Sequence, residues 1–359
     1  MSTGTVTTTP AVSARRRHHG GIRKRDATAG WLFTAPVIII LGLFLFIPVL
    51  MALWVSVSDW TGRGGPLSGG VNFVGLDNYK ALVAGGLTTS DFGIALKNNL
   101  WYVLLVVPLQ TILSLLLALL VNREGIKARG AFRTAYYFPS VTSTVAITVL
   151  WLFLFSTTGA INKVISFFGG RGPNWFNDPS AIFHFGATTG PAWLTSGGAL
   201  GVTWWDWLGG PSVAMSAMMA MAIFTTSGTF MLLFLAALQN LSPDVDEAAE
   251  VDGATGLQRW WYVTLPQLRP TVFTVVTLGT IGCWQVFDQI YTATQGGPAK
   301  TTLTPAYLSY SASFGSQQWG VGAAIAFVLF FIIILFTLVP RWLLRERKPR
   351  QFRIRKATS

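Results

Sequence analysis

Six long stretches of apolar residues alternate with polar segments along the chain. Each stretch has at least 20 residues, and about 20 apolar residues in a helix cross the hydrocarbon core of a bilayer. Backbone groups inside lipid must be bonded within their own segment, so the stretches are predicted to be helices. The six predicted spans are residues 31–57, 99–121, 138–157, 212–239, 271–293 and 319–340.

Charged residues are almost absent from these spans. Of the 40 charged residues, 39 lie outside the six stretches, and the exception is Asp288. The chain is 51% hydrophobic and 11% charged, whereas a soluble domain carries about a quarter charged residues. The composition excludes a disordered chain, argues against a water-soluble enzyme and predicts an all-α polytopic membrane protein.

The lysines and arginines predict the orientation of the spans. Twenty of them lie in the alternate segments 1–30, 122–137, 240–270 and 341–359. Only six lie in the segments 58–98, 158–211 and 294–318. Because basic loops stay on the cytoplasmic side, both termini are predicted to be cytoplasmic in a multi-pass protein of the cell membrane. The first span is too long for the apolar region of a cleaved signal peptide.

The net charge of +12 comes largely from the two terminal segments. Neither has the interleaved aromatic residues or the fold of a nucleic-acid-binding module, so no nucleic-acid partner is expected. Basic residues next to a membrane span are attracted to anionic headgroups, so membrane lipid is the predicted partner of both tails. Residues 1–14 are rich in threonine and serine and are expected to be disordered.

The sequence offers no residues for metal, disulfide or nucleotide chemistry. Cys283 is the only cysteine, and the only histidines are His18, His19 and His184. Residues 296–301 lack the glycine that precedes the lysine of a phosphate-binding loop. No catalytic residue, metal site or bound cofactor is therefore predicted. Energy for any transport must come from a partner chain or from an ion gradient.

An ion gradient would require ionisable residues inside the bundle. Asp288 is the only candidate, and it lies 17 residues after Thr271, about 25 Å along a helix of 1.5 Å per residue. That distance puts it near the outer end of its span rather than at the bilayer centre. An ion-coupled transporter remains an alternative, as does a receptor or scaffold that moves no solute.

The cytoplasmic segment between the fourth and fifth spans is long enough to have its own fold. Ser242 and Pro243 are suited to begin a helix. Gly253 and Gly256 would interrupt it, and a second short helix is expected over about 257–264. The segment also carries an acidic cluster, formed by Asp244, Asp246, Glu247, Glu250 and Asp252. A charged, structured loop predicts a docking surface, and an amphipathic loop resting on the membrane is the alternative.

This segment contains residues with the spacing of a known motif. They are Glu247, Ala248, Ala249, Asp252, Gly253, Ala254, Val263, Leu265 and Pro266. The string resembles the E-A-A signature of binding-protein-dependent ABC importer permeases, except that isoleucine is usual at Val263. P-V-L-M-A-L-W-V-S-V-S-D-W at 48–60, N-F-V-G-L-D-N-Y at 72–79 and F-D-Q-I-Y-T-A-T-Q-G-G-P at 287–298 resemble the sugar branch of that family.

The resemblance implies a type I importer fold, with the transmembrane domain over 95–340 preceded by an additional span and outer loop over 31–94. It also implies three kinds of partner: a second homologous permease, two ATP-binding subunits that hold ATP and Mg²⁺, and an extracytoplasmic solute-binding protein. The motif residues from Glu247 to Gly253, with Leu265 and Pro266, would form the loop that couples to the ATP-binding subunits. The implied solute is a carbohydrate, and a non-sugar solute is the alternative.

A sugar pathway needs aromatic platforms with amide or carboxylate partners. The fifth span supplies Trp284, Gln285, Asp288, Gln289 and Tyr291. Trp284 and Asp288 are predicted to share a helix face, as are Gln285 and Gln289. The fourth span adds Thr225, Thr226, Ser227 and Thr229. Interhelical hydrogen bonds, and an interfacial anchor for Tyr291, are the alternative roles.

The outer segment 158–211 is rich in glycine and tryptophan. Its tryptophans are Trp175, Trp193, Trp204, Trp205 and Trp207. Residues 181–210 are expected to be an insertion relative to the family pattern. The favoured interpretation is that these aromatic residues rest on the membrane, and contact with a solute-delivery protein is the sharper hypothesis.

Overall fold

The computed structural model describes residues 24–86, 89–123, 128–184, 190–199 and 202–343. Most of these residues are helical, as the apolar pattern predicts. The predicted tails lie largely outside this range, since residues 1–23 and 344–359 are not among those described.

Long and short helices alternate along the first half of the chain. They are α1 (Lys24–Leu41), a π-helical turn (Gly42–Phe46), α2 (Ile47–Ser56), α3 (Asp77–Ala81), α4 (Asp91–Asn122), α5 (Arg129–Val141), α6 (Thr144–Leu154) and α7 (Ala160–Phe167).

The middle segment is folded from short elements. They are a 3₁₀ turn (Ile182–His184), α8 (Ala192–Thr195), the antiparallel strands β1 (Gly198–Ala199) and β2 (Val202–Thr203), and α9 (Trp204–Leu208).

The second half is again helical. Its elements are α10 (Val213–Gln239), α11 (Pro243–Val251), α12 (Gly256–Arg259), a π-helical turn (Trp260–Thr264), α13 (Leu265–Gln267), α14 (Arg269–Trp284), α15 (Asp288–Ala293), α16 (Pro305–Tyr310), a π-helical turn (Ser311–Gly315) and α17 (Trp319–Leu343).

Within the described ranges, five helical segments are long and apolar enough to cross a membrane, which confirms five of the predicted spans. They are Thr28–Ser56, Asp91–Asn122, Val213–Gln239, Arg269–Ala293 and Trp319–Arg341. The third predicted span, residues 138–157, differs from a straight helix. Helices α5 and α6 form a pair bent by 99°, and they make a sixth span only if the pair is counted as one.

The bend between α5 and α6 lies at Thr142 and Ser143, whose backbones are extended. Pro139 lies inside the last turn of α5 and cannot donate a backbone hydrogen bond. The hydroxyl of Thr142 donates to the carbonyl of Phe138 at 3.0 Å. Residue-by-residue hydropathy does not detect this bend, because the residues on both sides of it are apolar.

The chain divides into two compact units, Met1–Ala52 and Leu53–Ser359. In the described part of the first unit, the large apolar side chains from Trp31 to Met51 are exposed. Such a helix, apolar all round, is suited to lipid as its solvent.

The core of the second unit is built mainly from α4, α10 and α14. One hydrophobic cluster surrounds Trp284 and the methionines of α10, and a second surrounds Phe234 and Leu268 at the other end of the same helices. Helix α5 packs closely on α10 at Gly228, where an added Cβ would overlap the carbonyl oxygen of Tyr136. A small residue at such a contact lets two helices approach each other within a membrane.

The N-F-V-G-L-D-N-Y motif fastens the segment that follows the first span. The Asn72 amide donates to the Asp59 carboxylate at 3.0 Å, and its backbone N–H donates to the same group. These two hydrogen bonds hold the pKa of Asp59 below its ordinary value. The Asn78 amide donates to the carbonyls of Ser56 and Ser58, so the motif has a structural role in this turn.

Candidate functional site: a polar cavity between two broken helices and an acidic loop

The fifth span is interrupted at residues 285–287, between α14 and α15. The break leaves carbonyl groups that the helix no longer satisfies, and such groups need other partners within a membrane. The Asn99 amide donates to the Trp284 carbonyl at 3.4 Å. The Thr304 hydroxyl donates to the Val286 carbonyl at 3.1 Å. Side chains from two distant segments therefore support this break.

A cavity of about 270 Å³ lies beside the break, lined by α4, α10, α14 and α15. Its polar lining consists of Tyr102, Gln110, Thr144, Thr225, Thr226, Gln285, Asp288 and Gln289. Asp288 is the only charged residue of the lining within the part of the chain that the structure describes. A largely neutral lining with amides, hydroxyls and one carboxylate is suited to an uncharged polar solute.

A second cavity of about 250 Å³ lies against the bend between α5 and α6. Pro139, Ser140 and Thr142 line it at the end of α5. The two cavities share the five lining residues Thr144, Thr225, Thr226, Phe230 and Gln289. The two interrupted helices therefore border one continuous polar region, as irregular backbone at membrane depth requires.

Two hydrogen bonds hold the amide groups of this region in place. The Thr226 hydroxyl and the Gln110 side-chain oxygen are 2.6 Å apart. The amide of Gln289 donates to the hydroxyl of Tyr102. The other amide atom of Gln110, Nε2, is buried and has no hydrogen-bond partner within the described part of the chain. Gln110 lines the cavity as a residue, so a rotation of its side chain would bring this unpaired N–H to a solute hydroxyl.

The predicted pathway residues fall in different places. Gln285 and Asp288 line the cavity. Trp284 is fully buried against Phe336, with ring centroids 4.9 Å apart. Tyr291 is 43% exposed and lies outside the residues that line either cavity.

The prediction that Trp284 shares a face with Asp288, and Gln285 with Gln289, is wrong, because the helix does not continue through residues 285–287. In each pair one residue is buried and the other exposed. The i, i+4 rule applies only within a continuous helix.

Three of the four hydroxyl residues predicted in the fourth span lie at a cavity, and their role in a pathway stays a prediction. Thr225, Thr226 and Thr229 line one or both cavities. Ser227 is buried on another side of α10 and donates to the carbonyl of Phe224 at 3.0 Å.

Sequence reasoning missed Tyr102, Gln110 and Thr144. Gln110 lies inside the second predicted span, where a polar amide is unusual. Its position in the sequence could therefore have indicated a functional residue. Tyr102 and Thr144 carry no such signal, because single tyrosine and threonine residues are common in membrane helices. Their roles depend on the packing of α4, α6 and α10.

The acidic loop has the predicted two-helix form. Helix α11 begins at Pro243 after Ser242, whose side chain makes no capping hydrogen bond. Gly253 has a φ of +81°, a conformation that glycine adopts without strain. Gly256 does not interrupt a helix as predicted. It begins α12, which Thr255 caps in a reciprocal pair of hydrogen bonds with Gln258.

Arg259 joins the two short helices of the loop. Its guanidinium lies 3.1 Å from Asp246 and 2.5 Å from Glu250 on α11. The loop is attached to the membrane helices by Leu268, which is fully buried in the cluster around Phe234. The loop is therefore a folded unit connected directly to α14.

The outer face of the loop combines exposed acidic and apolar residues. The side chain of Glu247 is exposed and makes no hydrogen bond or ion pair with any other described residue. Val251 is 88% exposed and Tyr262 is 80% exposed. A protruding face of this composition suits docking to another protein better than burial within the chain.

No group of three or more histidine, cysteine, aspartate or glutamate side chains in the described ranges is placed to hold a metal ion.

Comparison with known proteins places these features in a family. The profile of the family described as "Binding-protein-dependent transport system inner membrane component" matches residues 110–349. The chain belongs to this family. The matched region runs from Gln110 through the cavity, the acidic loop and α17, so it contains most of the candidate site.

Three relatives match this permease along most of its length. It is 30% identical to the lactose transport system permease protein LacF of Rhizobium radiobacter over 89% of this chain and 95% of that protein. It is 28% identical to the arabinooligosaccharides transport system permease protein AraP of Bacillus subtilis over 94% and 95%. It is 28% identical to the trehalose/maltose transport system permease protein MalF of Thermococcus litoralis over 89% and 94%.

Two solved structures share the fold. A chain of a bacterial ABC transporter involved in the import of the acidic polysaccharide alginate matches with a TM-score of 0.68 and 21% identity, covering 91% of this permease and 99% of that chain. A chain from the alginate transporter in complex with an alginate pentasaccharide-bound periplasmic protein matches with a TM-score of 0.67 and 20% identity.

The resemblance inferred from the E-A-A motif and the type I importer fold are thereby confirmed. The permease is an inner-membrane transport component with several membrane-spanning helices, and its family works with a binding protein. In this family, ATP hydrolysis belongs to separate subunits.

Proposed function

We propose that this permease conducts a carbohydrate through the region between its two broken helices, as one membrane subunit of an ATP-driven importer. The observation that carries the proposal is the cavity beside the break at residues 285–287, whose polar lining consists of amides, hydroxyls and one carboxylate. A second homologous permease, two ATP-binding subunits and an extracytoplasmic solute-binding protein would complete the importer.

The chemistry of the lining supports a carbohydrate. A sugar presents hydroxyl groups, which amides, hydroxyls and carboxylates bind, and apolar ring faces, which aromatic rings bind. In the cavity, Gln110, Thr226 and Asp288 could bind the hydroxyl groups, and Phe287 could bind a ring face. Among the described residues, no lysine or arginine lines either cavity, which disfavours an anionic solute. The substrates in the names of LacF, AraP and MalF are sugars as well.

The acidic loop would transmit the movement of the ATP-binding subunits, which hold ATP and Mg²⁺. Glu247, Ala248, Ala249, Asp252 and Gly253 would form the contact, with Glu247 offered to a basic residue of the partner. The small side chains of Ala248 and Ala249 allow close approach.

The path from this loop to the cavity is short and stiff. Leu265 and Pro266 lead into α14, which Leu268 fixes in the core. The 16 residues of α14 span about 24 Å at 1.5 Å per residue. Its far end is the break that lines the cavity, so a displacement of the loop would reach the lining as a rigid-body movement of α14.

The distribution of basic residues supports an orientation with both termini and the acidic loop in the cytoplasm. The break at residues 285–287 follows α14 and would then lie toward the outer side. A solute released by the binding protein would meet Asp288 and Gln285 before the deeper residues of α4 and α10.

Uptake into proteoliposomes that contain the complete complex tests this proposal. Lactose, maltose, trehalose and arabino-oligosaccharides are offered outside, with ATP on the side of the acidic loop. We expect saturable uptake of at least one sugar that stops without ATP and survives collapse of ion gradients. Replacing Thr226 with valine should lower that uptake, whereas Thr337→Val on α17 should not, since Thr337 belongs to neither lining and its hydroxyl bonds within its own helix.

Three outcomes would overturn the proposal. Uptake that follows an ion gradient and ignores ATP would indicate a secondary transporter. Uptake of amino acids or peptides but not of sugars would assign another solute. Absence of any solute flux in an intact, ATP-hydrolysing complex would indicate a receptor or scaffold.

A further inference from the structure

A continuous series of aromatic rings leaves the cavity at Phe287. Phe287 lines the cavity, and its ring centroid lies 5.5 Å from Tyr291 and 5.2 Å from Tyr310. The series continues from Tyr310 to Phe314 at 5.0 Å and from Phe314 to Trp319 at 4.7 Å. We call Phe287, Tyr291, Tyr307, Tyr310, Phe314 and Trp319 the aromatic strip.

The aromatic strip lies at the end of the helices opposite the acidic loop. Helix α14 begins at the loop side and runs to the break that precedes α15. The strip is formed by Phe287 of the break, by residues of α15, α16 and the π-helical turn 311–315, and by the first residue of α17. A solute that approaches the cavity from the side opposite the loop would therefore pass the strip first.

The strip offers both apolar faces and hydrogen-bonding groups. Tyr291 is 43% exposed, Phe314 is 61% exposed, and the other four rings are half-buried. Burial raises the pKa of Tyr307. A hydrogen bond with Tyr291 and the proximity of its hydroxyl raise the pKa of Tyr310. Both hydroxyls therefore stay protonated at neutral pH and can donate as well as accept hydrogen bonds.

A carboxylate lies beside the strip. Asp288 is three residues before Tyr291 in α15, so the two side chains share a helix face. Asp288 is exposed and also lines the cavity. Aromatic rings next to an exposed carboxylate and tyrosine hydroxyls are suited to a sugar, whose ring faces are apolar and whose edges carry hydroxyls.

The size of the cavity indicates why a second surface is useful. Its volume of about 270 Å³ lies just below the range of about 300–1,000 Å³ typical of pockets for small ligands. An oligosaccharide longer than the cavity must extend past its rim. Phe287 belongs both to the lining and to the strip, so the strip begins where the cavity ends.

We propose that the aromatic strip is an outer binding surface for oligosaccharides, which stacks successive sugar rings before they enter the cavity. The inference rests on the proposed function, because it takes a carbohydrate as the solute. The proposed role of the aromatic strip differs from that of an interfacial aromatic belt, in which the same rings would face lipid headgroups.

A double variant of the two most exposed rings, Tyr291→Ala with Phe314→Ala, tests the strip in the reconstituted complex. Each stacking contact between rings contributes about 0.5–1.5 kcal/mol, so we expect the rate for a long oligosaccharide relative to a disaccharide to fall about tenfold. The disaccharide rate itself should stay close to that of the unmodified complex. The solute-binding protein is the same in every assay, so a change in this ratio belongs to the permease.

Phe330→Ala with Phe331→Ala on α17 is the matched control, since both rings are exposed and contact each other away from the strip. The conservative double variant, Tyr291→Phe with Phe314→Tyr, keeps an aromatic ring at both positions. It should therefore keep the normal ratio between the rates for the long oligosaccharide and the disaccharide. The proposal is overturned if the alanine variant keeps the normal ratio, or if the control lowers it equally. An unmodified complex that transports no sugar would contradict the proposed function instead.

Chemical labelling supplies a second readout that does not depend on transport. Cys283 is buried, and Ser316 is an exposed residue two positions after Phe314, so Ser316→Cys introduces a reactive thiol beside the strip. We expect a membrane-impermeant maleimide to label it, and maltohexaose or an arabino-oligosaccharide to slow the labelling. Labelling whose rate ignores both sugars, or a thiol that the reagent reaches only after detergent is added, would favour the lipid belt and overturn the inference.

Discussion

At the scale of single residues, polar groups inside the spans have two different tasks. Asn99 and Thr304 satisfy carbonyls that a helix break has freed. Gln110 and Thr226 instead line the cavity. The composition of the fifth span predicted that its polar residues line a pathway, and two of them, Gln285 and Asp288, do line the cavity. It could not separate them from Trp284, which is a fully buried core residue.

Single substitutions at Gly253 and Glu247 in the acidic loop should stop transport. Gly253→Pro should abolish ATP-driven uptake while membrane insertion stays normal, because proline cannot adopt a φ of +81° and would remove the hydrogen bond from the Gly253 N–H to the Glu250 carbonyl. Glu247→Lys should have the same effect by placing a positive charge where we propose contact with a basic residue. Uptake and ATP hydrolysis are measured on the same proteoliposomes.

Two controls separate coupling from general damage. Gly253→Asn should retain most of the uptake, since asparagine tolerates positive φ. Asp244→Lys changes the charge of the same helix by the same amount at another exposed position, and it should reduce uptake much less than Glu247→Lys. Full uptake in both Gly253→Pro and Glu247→Lys would remove the coupling assignment.

At the scale of elements, the interrupted helices decide where the cavity lies. The bend at Thr142 and Ser143 and the break at residues 285–287 are both stabilised by local or distant side chains. The second break depends on contacts from residues 185 and 18 positions away in sequence. A continuous helix through residue 285 would satisfy its own carbonyls and would fill this space.

Thr304→Val tests the support of the break. The substitution leaves the buried Val286 carbonyl without its partner and removes the side-chain cap of α16. An unsatisfied buried group costs about 1–3 kcal/mol, so we expect the free energy of unfolding to fall by about that amount and sugar uptake to fall with it. Thermal unfolding of the detergent-purified complex measures the first effect.

Thr337→Val is the matched control, because the hydroxyl of Thr337 is exposed and bonds only within α17. It should change the unfolding temperature little. A Thr304→Val protein as stable and as active as the unmodified one would show that the break does not need this hydrogen bond.

At the scale of the whole molecule, a tryptophan-rich outer segment is closed at its base. The Ile182 N–H donates to the Pro211 carbonyl at 3.0 Å, and the Phe183 N–H donates to the Gly209 carbonyl at 3.1 Å. Inside the segment, His184 stacks on Trp205 at 4.0 Å. The segment therefore leaves and rejoins the helical core at neighbouring points, which is the geometry of an insertion that the core tolerates.

Replacing residues 185–208 with two glycines tests the role of this segment. The paired backbone at 182–183 and 209–211 should hold, so we expect normal membrane insertion and an unchanged unfolding temperature of the helical core. Under the favoured interpretation, in which the aromatic residues rest on the membrane, stimulation of ATP hydrolysis by the solute-binding protein is retained. Loss of that stimulation in a stable complex would instead assign the segment to docking of the solute-binding protein.

The sequence alone determined the spans, the family and the form of the acidic loop. Transfer of a side chain into lipid depends on that side chain, and helix caps depend on neighbours three or four residues away, so both are local properties. For this reason the existence of five spans, the two short helices and the turn at Gly253 were predictable, whereas the break inside the fifth span was not.

Only the tertiary structure decided the cavity, its lining and the aromatic strip. Each depends on groups that the fold brings together from distant segments, such as Thr304 at the Val286 carbonyl or Phe287 against Tyr310. A helix can open within a membrane only where another segment satisfies the carbonyls it releases. Whether such a segment is present depends on packing between elements, so hydropathy along the chain cannot predict it.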